Sequence, residues 1–273
     1  MDAIVAPEAE AEAPPASPPP PSGEGVSPAS PSSTRSTAPS QPLPVATRDD
    51  VLDSCYGTTF WLLAFGVVAR EGAHFGQGKL PAFVSDWTAD LPLIAALHPP
   101  SSPELVAAHA GVALGVAAAV TAGRVALLDA WPEFREATNR SNAQVLRPLR
   151  RGDVVTVALL PAVAEETVFR GVLLPALVPA IGSAYGAVAA SGAVFGALHV
   201  GGGRNAAFAA WASLVGAAYG AAAVATGDVA TAMLAHALAN YASAALWLAN
   251  DERDSGGGAD GGVERAGGRE SRL

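Results

Sequence analysis

The stretch AVAEETVFRGVLLPAL, from Ala162 to Leu177, places three charged side chains inside an otherwise apolar run. They are Glu165, Glu166 and Arg170. An ionised side chain at the centre of a bilayer costs on the order of 2.5 to 3.5 kcal/mol on insertion scales. The presence of three such groups within six residues therefore requires a structural or functional explanation. The flanking sequence shows how apolar their surroundings are.

The chain around this stretch is almost free of charge. Between Gly152 and Asn250 there are only six formal charges, and three of them are the ones just named. Uncharged runs of about 20 residues, the length of a bilayer-spanning helix, recur along the chain. Their many Ala and Gly residues suit close helix packing in lipid. We therefore expect an all-α fold, a polytopic transmembrane bundle with about six to seven membrane helices, and the charge distribution disfavours a soluble all-α bundle.

The expected helices follow from the apolar runs. In chain order they are Asp53 to Arg70, Glu104 to Asp129, Asp153 to Pro179, Ala184 to Val200, Ala206 to Thr226, and Asp228 to Asn250. The arginine-rich stretch from Glu133 to Gly152 is predicted to be a loop. By the positive-inside rule this loop faces the cytosol or its organellar equivalent.

The two ends of the chain differ in composition from its middle. Residues 1–48 are rich in Pro, Ala and Ser, and 12 of the 22 prolines fall before Thr47, so this leader is expected to be disordered. Residues 49–250 are expected to form the transmembrane domain, with a motif core at 153–250, and residues 251–273 a disordered tail. Five acidic residues precede the first basic residue, Arg35, so the leader's composition does not by itself show a transit peptide.

Composition also excludes some classes of function. The net charge of −9 comes largely from tails and loops, and the chain has no basic patch with interleaved aromatics, so nucleic acid is not an expected partner. Cys55 is the sole cysteine, which excludes an intrachain disulfide framework and a cysteine-based structural zinc site.

The helical spacing of the three charged residues separates their roles. Glu166 and Arg170 are four residues apart, so on a helix they share a face and can pair. Glu165 then lies about 100° around the helix from that pair. A carboxylate in such an apolar setting suits general-base work. The competing interpretation is structural: both glutamates pair with Arg170 or with backbone groups.

Two further segments place polar side chains on apolar helices. In SGAVFGALHVGGGR, His199 follows Phe195 by four residues, and in TAMLAHALANYA, His236 and Asn240 share one helical face. One such histidine is usually a hydrogen-bonded core residue. Two of them on different apolar helices, with Glu165 on a third, indicate a polar site that converges inside a bundle.

Taken in order, these motifs resemble those of the CPBP family. The motifs are Glu165-Glu166-x-x-x-Arg170-Gly171, Phe195-x-x-x-His199 and His236-x-x-x-Asn240. The family, also called ABI, comprises the type 2 CAAX prenyl proteases and bacteriocin-processing relatives. Shorter runs such as Trp131-Pro132 and Leu160-Pro161 are similar to those of plastid-directed members from plants and algae.

The resemblance implies a glutamate-dependent intramembrane endopeptidase, a hydrolase of the CAAX prenyl protease 2 type. By that resemblance Glu165 activates water, His199 orients or polarises it, and His236 with Asn240 stabilises the tetrahedral oxyanion. Glu166 and Arg170 become a scaffold pair, and Phe195 packs beside His199. The expected partners are the lipid bilayer and a membrane-associated protein or peptide substrate, with prenylated CaaX proteins among the candidates.

Alternatives remain at this stage. No cofactor is required by the expected mechanism, but a metalloprotease-like variant would bind zinc through Glu165, His199 and His236, although the chain lacks an H-E-x-x-H motif. A non-proteolytic membrane scaffold or chaperone-like protein on the same fold is the main alternative function. A proton- or ion-coupled transporter is disfavoured because matching interrupted spans are missing. The chain is expected in a membrane, of the chloroplast by subgroup resemblance or otherwise of the endoplasmic reticulum or another compartment.

Overall fold

The computed structural model describes residues 45–75 and 102–256, and all regular elements in these two ranges are helical. The α-helices are α1 (Arg48–Phe75), α2 (Pro103–Ala130), α3 (Pro132–Leu146), α4 (Asp153–Val168), α5 (Leu174–Ile181), α6 (Ala184–Ala197), α7 (Ala206–Thr226) and α8 (Val229–Gly256). A π-helical turn, Phe169–Leu173, joins α4 to α5. The all-α prediction is confirmed, whereas most of the predicted leader and tail lies outside the described residues.

Four of the described helices are long and apolar enough to cross a membrane. They are α1 over Arg48–Gly72, α2, α7, and α8 over Val229–Asp254. The predicted count of six to seven also included the third segment and α6. The third segment is divided by the π-helical turn, and α6 is an apolar helix of 14 residues. The chain is thus an integral membrane protein by the length and composition of its helices.

The predicted loop from Glu133 to Gly152 is wrong, because most of it is the helix α3. Pro132 at the first helical position suits a helix start, since its fixed φ is already helical. Phe134, Ala137 and Thr138 are buried on one face, at the spacing of an amphipathic helix. The helical spacing of these apolar residues was overlooked in the sequence because the many arginines indicated a solvated loop.

The last helix extends six residues past the predicted boundary at Asn250. Two ion pairs hold this extension against the end of α3 and the turn after it. Asp251 Oδ1 accepts a hydrogen bond from Arg147 at 2.7 Å, and Glu252 Oε1 accepts one from Arg151 at 3.3 Å. The arginines that the sequence assigned to a loop thus bind the end of α8.

Small residues let α6 and α7 pack very closely. A Cβ added at Gly192 of α6 would lie 2.7 Å from the Ser213 carbonyl oxygen, closer than real contacts allow. A Cβ at Gly196 would meet the same helix at still shorter distances. This packing agrees with the expected role of small residues in lipid, and it places His199, just after α6, beside α7.

A bidentate ion pair joins the beginning of α1 to the beginning of α4. Arg48 donates from Nε and Nη2 to the two carboxylate oxygens of Asp153, each at 2.7 Å. The backbone N–H of Arg150 donates to the same carboxylate at 2.9 Å. Two parallel charge-assisted bonds fix orientation as well as distance. The pair therefore sets how α1 lies along α4.

Substituting Asp153→Asn is expected to lower the thermal midpoint of the purified protein in detergent, because an amide cannot accept both guanidinium N–H groups. Glu252→Gln serves as the matched control: its partner Arg151 is 91% exposed, and such pairs contribute little. Equal midpoints for the two variants would contradict a structural role for the Arg48–Asp153 pair.

Candidate active site

All four residues predicted to be catalytic line one cavity of about 660 Å³. Glu165 comes from α4, His199 from the turn after α6, and His236 and Asn240 from α8. The four side chains are therefore brought together from three separate parts of the fold. The volume is within the range of ligand-binding pockets.

Glu165 and His199 face each other in this cavity. Glu165 Oε2 lies 4.0 Å from His199 Nε2, and each side chain is 20% exposed. His199 Nδ1 lies 2.7 Å from the carbonyl oxygen of Phe195. Because a carbonyl can only accept, Nδ1 carries the hydrogen, and the ring in its neutral form has a lone pair at Nε2. In that form two hydrogen-bond acceptors face each other across a gap that one donor can bridge.

Glu166 is completely buried and binds two partners. Its Oε1 accepts a hydrogen bond from Arg170 Nη1 at 3.0 Å, so the predicted pair forms. The same oxygen lies 2.9 Å from His236 Nδ1. This third member was not predicted, and it means that Glu166 orients the histidine of the last motif as well as neutralising the arginine.

Arg170 is also fully buried and reaches a second helix. Its Nη2 donates to the carbonyl oxygen of Gly216 on α7. The guanidinium carbon lies 5.1 Å from the ring centroid of Phe195 and 5.8 Å from that of Tyr219. The faces of aromatic rings attract cations, and this attraction is strongest in dry surroundings. Arg170 is therefore held by charge, hydrogen bonding and aromatic contact together.

Aromatic rings fix both histidines. The Phe195 ring centroid is 4.4 Å from that of His199, and the Tyr219 ring stacks on His236 with centroids 4.7 Å apart. Phe195 therefore lies where the sequence placed it, beside His199. Tyr219 was missed, because a tyrosine within an apolar run carries no local signal of its partner.

The π-helical turn begins three residues after Glu166 and contains Arg170 and Gly171. Arg70 of α1, which is 1% exposed, donates from Nη1 to the Gly171 carbonyl oxygen at 3.1 Å. π-Helical turns leave backbone groups free for such contacts and often occur at functional sites. This turn links α1 to the charged motif.

The zinc ligands considered from the sequence do not form a cluster. Across residues 45–75 and 102–256, no group of three or more His, Cys, Asp or Glu side chains is arranged to hold a metal ion. Glu165 and His199 approach each other, but His236 Nδ1 is engaged with Glu166. A carboxylate partner on Nδ1 leaves the Nε2 atom of His236 open, so the zinc set Glu165, His199 and His236 stays a prediction.

The remaining lining of the cavity is part apolar and part polar, and its polar members were not predicted. It includes Thr58 and Thr59 from α1, Arg124 from α2, Ser141 and Asn142 from α3, and Arg204 from the turn before α7. Most of these residues lie far in sequence from the three motifs, and nothing in their local spacing marks them as members of one site.

Comparison with known families agrees with the motifs. Residues 149–242 match the family model described as "Type II CAAX prenyl endopeptidase Rce1-like". This range contains every residue of the three motifs, so the resemblance to the CPBP family is confirmed over that part of the chain. No curated protein and no solved structure matches the chain significantly. At the level of the family, the match supports a type II CAAX protease hydrolase in the membrane.

The two adjacent glutamates should respond differently to the same substitution. Glu166→Gln removes the charge that compensates a buried guanidinium, and loss of one partner of a buried pair costs on the order of 3 to 5 kcal/mol. Glu165→Gln alters a partly exposed carboxylate outside that pair and should leave stability nearly unchanged. Unfolding by SDS in mixed micelles measures both. Equal destabilisation of the two variants would refute this division of roles.

Proposed function

We propose that this chain, whose motif segment is of the type II CAAX endopeptidase kind, is an intramembrane endopeptidase that hydrolyses peptide bonds of membrane-associated proteins. The observation that carries the proposal is the meeting of Glu165, His199, His236 and Asn240 in one cavity within a membrane bundle. Amide hydrolysis needs a base, an oriented water molecule and donors aimed at the developing oxyanion. These four side chains can supply each of those functions.

In the proposed reaction Glu165 is the general base. A water molecule that donates to two acceptors at about 2.8 Å each holds them roughly 4 to 4.5 Å apart. The separation of 4.0 Å between Glu165 Oε2 and His199 Nε2 suits one such water. His199 orients the water through its lone pair, and Glu165 takes the proton as the water oxygen attacks the scissile carbonyl. The proton is then available for the leaving amine.

The oxyanion is stabilised from α8. Asn240 is partly buried and makes no hydrogen bond to another described residue, so its side-chain N–H groups are available to the substrate. His236 donates from Nδ1 to Glu166, so in the proposed reaction its ring is the imidazolium, whose Nε2–H donates to the oxyanion. The spacing of four residues places His236 and Asn240 on one helical face, and both line the cavity. Donors fixed before the reaction stabilise the transition state without further reorganisation.

The substrate class that we propose is a membrane-associated protein or peptide, with prenylated CaaX termini as the first candidates. A cavity between the helices of a membrane bundle suits a peptide that is delivered from the bilayer. The family match supports this class, and the polar lining of the cavity provides partners for a peptide backbone.

Substituting Glu165→Gln should abolish cleavage while the protein still inserts and folds, because an amide cannot take the proton from water. Asn240→Ala should reduce kcat by about 100- to 1000-fold, the usual effect of removing one oxyanion donor. The assay uses purified protein in liposomes with a farnesylated CaaX peptide and a panel of non-prenylated membrane peptides. Unchanged cleavage by Glu165→Gln would refute the assignment of the base.

The main alternative, a non-proteolytic scaffold or chaperone-like protein, has a different outcome in the same assay. A scaffold needs no base and no oxyanion donors, so the wild-type protein would be inert across the whole panel. Glu165-dependent turnover of any one peptide would exclude this alternative, and the preferred peptide would define the substrate class.

We propose a metal-independent mechanism with no cofactor. The purified active protein is expected to contain no stoichiometric zinc, and 1,10-phenanthroline should not change its rate of cleavage. Elemental analysis and the rate with chelator test this directly. Stoichiometric zinc whose removal abolishes activity, and whose return restores it, would establish the metalloprotease alternative.

We propose the chloroplast as the location, with the endoplasmic reticulum or another membrane as the alternative. The support is the likeness of several short runs to plastid-directed relatives. Fractionation of cells that express the full chain with a C-terminal tag would show which of these membranes contains the protein.

A further inference from the structure

Two arginines line the same cavity as Glu165. They are Arg124 of α2 and Arg204, which precedes α7, and both are partly buried. Within residues 45–75 and 102–256, no carboxylate lies within ion-pair distance of either guanidinium. Charged side chains in apolar surroundings are nearly always paired with an opposite charge. These two cations therefore face a cavity without a direct counter-ion of their own.

Both arginines are held in place by adjacent residues of α3. Arg204 donates from Nε to Ser141 Oγ at 3.1 Å, and its guanidinium carbon lies 5.1 Å from the ring centroid of Phe208. Arg124 donates from Nη2 to Asn142 Oδ1 at 3.4 Å. The terminal nitrogens of Arg204 have no acceptor among the described residues. A planar guanidinium fixed in this manner presents paired N–H donors that match the two oxygens of a carboxylate.

The two cations line the same cavity as the proposed base. Arg204 interacts electrostatically with Glu165, and Arg124 interacts with Arg204. Like charges that lie near each other repel, so an anion that binds both guanidinium groups relieves the repulsion. The anion would then lie in the same cavity as the water-activating residues.

We propose that Arg204 and Arg124 form a carboxylate subsite that binds the free C-terminus of the substrate peptide. This inference rests on the proposed function, because it takes the scissile bond to lie at Glu165. A CaaX peptide carries its terminal carboxylate only a few residues beyond the prenylated cysteine. An extended chain advances about 3.3 Å per residue, so a terminus this near the scissile bond stays inside the same cavity.

The test is the binding of two peptides that differ in one group. A fluorescent farnesylated CaaX peptide is prepared as the free acid and as the C-terminal amide. Binding to full-length protein carrying Glu165→Gln is measured in phosphatidylcholine vesicles, so that neither turnover nor anionic lipid interferes. The acid should bind about 10- to 100-fold more tightly than the amide, the usual range for charge-assisted hydrogen bonds.

Arginine variants of the Glu165→Gln protein test which residues cause the preference for the free acid over the amide. Arg204→Gln and Arg124→Gln should each reduce the ratio of acid to amide affinity, and the double variant should bring the ratio close to one. Arg204→Lys should retain an intermediate ratio, because it keeps the charge and loses the planar fork. Arg151→Gln is the matched control on an exposed arginine outside the cavity, and it should keep the parental ratio.

The outcomes separate this inference from the proposed function. Peptide binding does not require turnover, so a protein that cleaves nothing could still show the acid preference and support the subsite. Equal binding of acid and amide by the parental protein, or an unchanged ratio in the double variant, would overturn the inference. Equal binding together with displacement of both peptides by phosphatidylglycerol would assign the two arginines to lipid head groups instead.

Discussion

The buried ion pair between Glu166 and Arg170 constrains the whole site. Both side chains are completely removed from solvent, where an isolated charge of either sign would be very costly. Their mutual contact offsets part of that cost, and the remaining contacts reach other helices. Arg170 binds the Gly216 carbonyl of α7, and Glu166 binds His236 of α8. The pair therefore fixes α4 relative to both helices, and with them the side chains that line the cavity.

The two adjacent glutamates lie in different environments because neighbouring residues of a helix point in different directions. A rotation of about 100° per residue directs Glu166 into the protein interior and Glu165 into the cavity. Glu166 has a cation and a histidine within hydrogen-bond distance, whereas Glu165 lies 4.0 Å from His199 Nε2. The same residue type is thus fully buried and paired at one position and faces the cavity at the next. The difference comes from packing rather than from side-chain chemistry.

The helices and the motif residues could be predicted from the sequence, but several of their contacts could not. Charges within apolar runs marked Glu165, Glu166 and Arg170, and the i, i+4 rule predicted the contact between the last two because it is local to one helix. The contact between Glu166 and His236 spans 70 residues, and no helical period encodes it. The helix α3 was missed for another reason: its arginines were interpreted as a solvated loop, although Phe134 and its neighbours mark a buried face.

If the proposed function holds, the chemistry and much of the specificity of the cavity come from different parts of the chain. The family match ends at residue 242 and begins at residue 149, so it covers Glu165, His199, His236 and Asn240 but none of α1, α2 or α3. Those three helices supply much of the remaining lining, including Thr58, Arg124 and Asn142. Catalysis tolerates little displacement of the reacting groups, so the residues that carry it occur at fixed spacings that form recognisable motifs. The shape and charge of the residues that bind the rest of the substrate can change without loss of the reaction. If the proposed function holds, the determinants of substrate choice are therefore to be sought in α1 to α3 and at Arg204, which lies inside the matched range but outside the motifs.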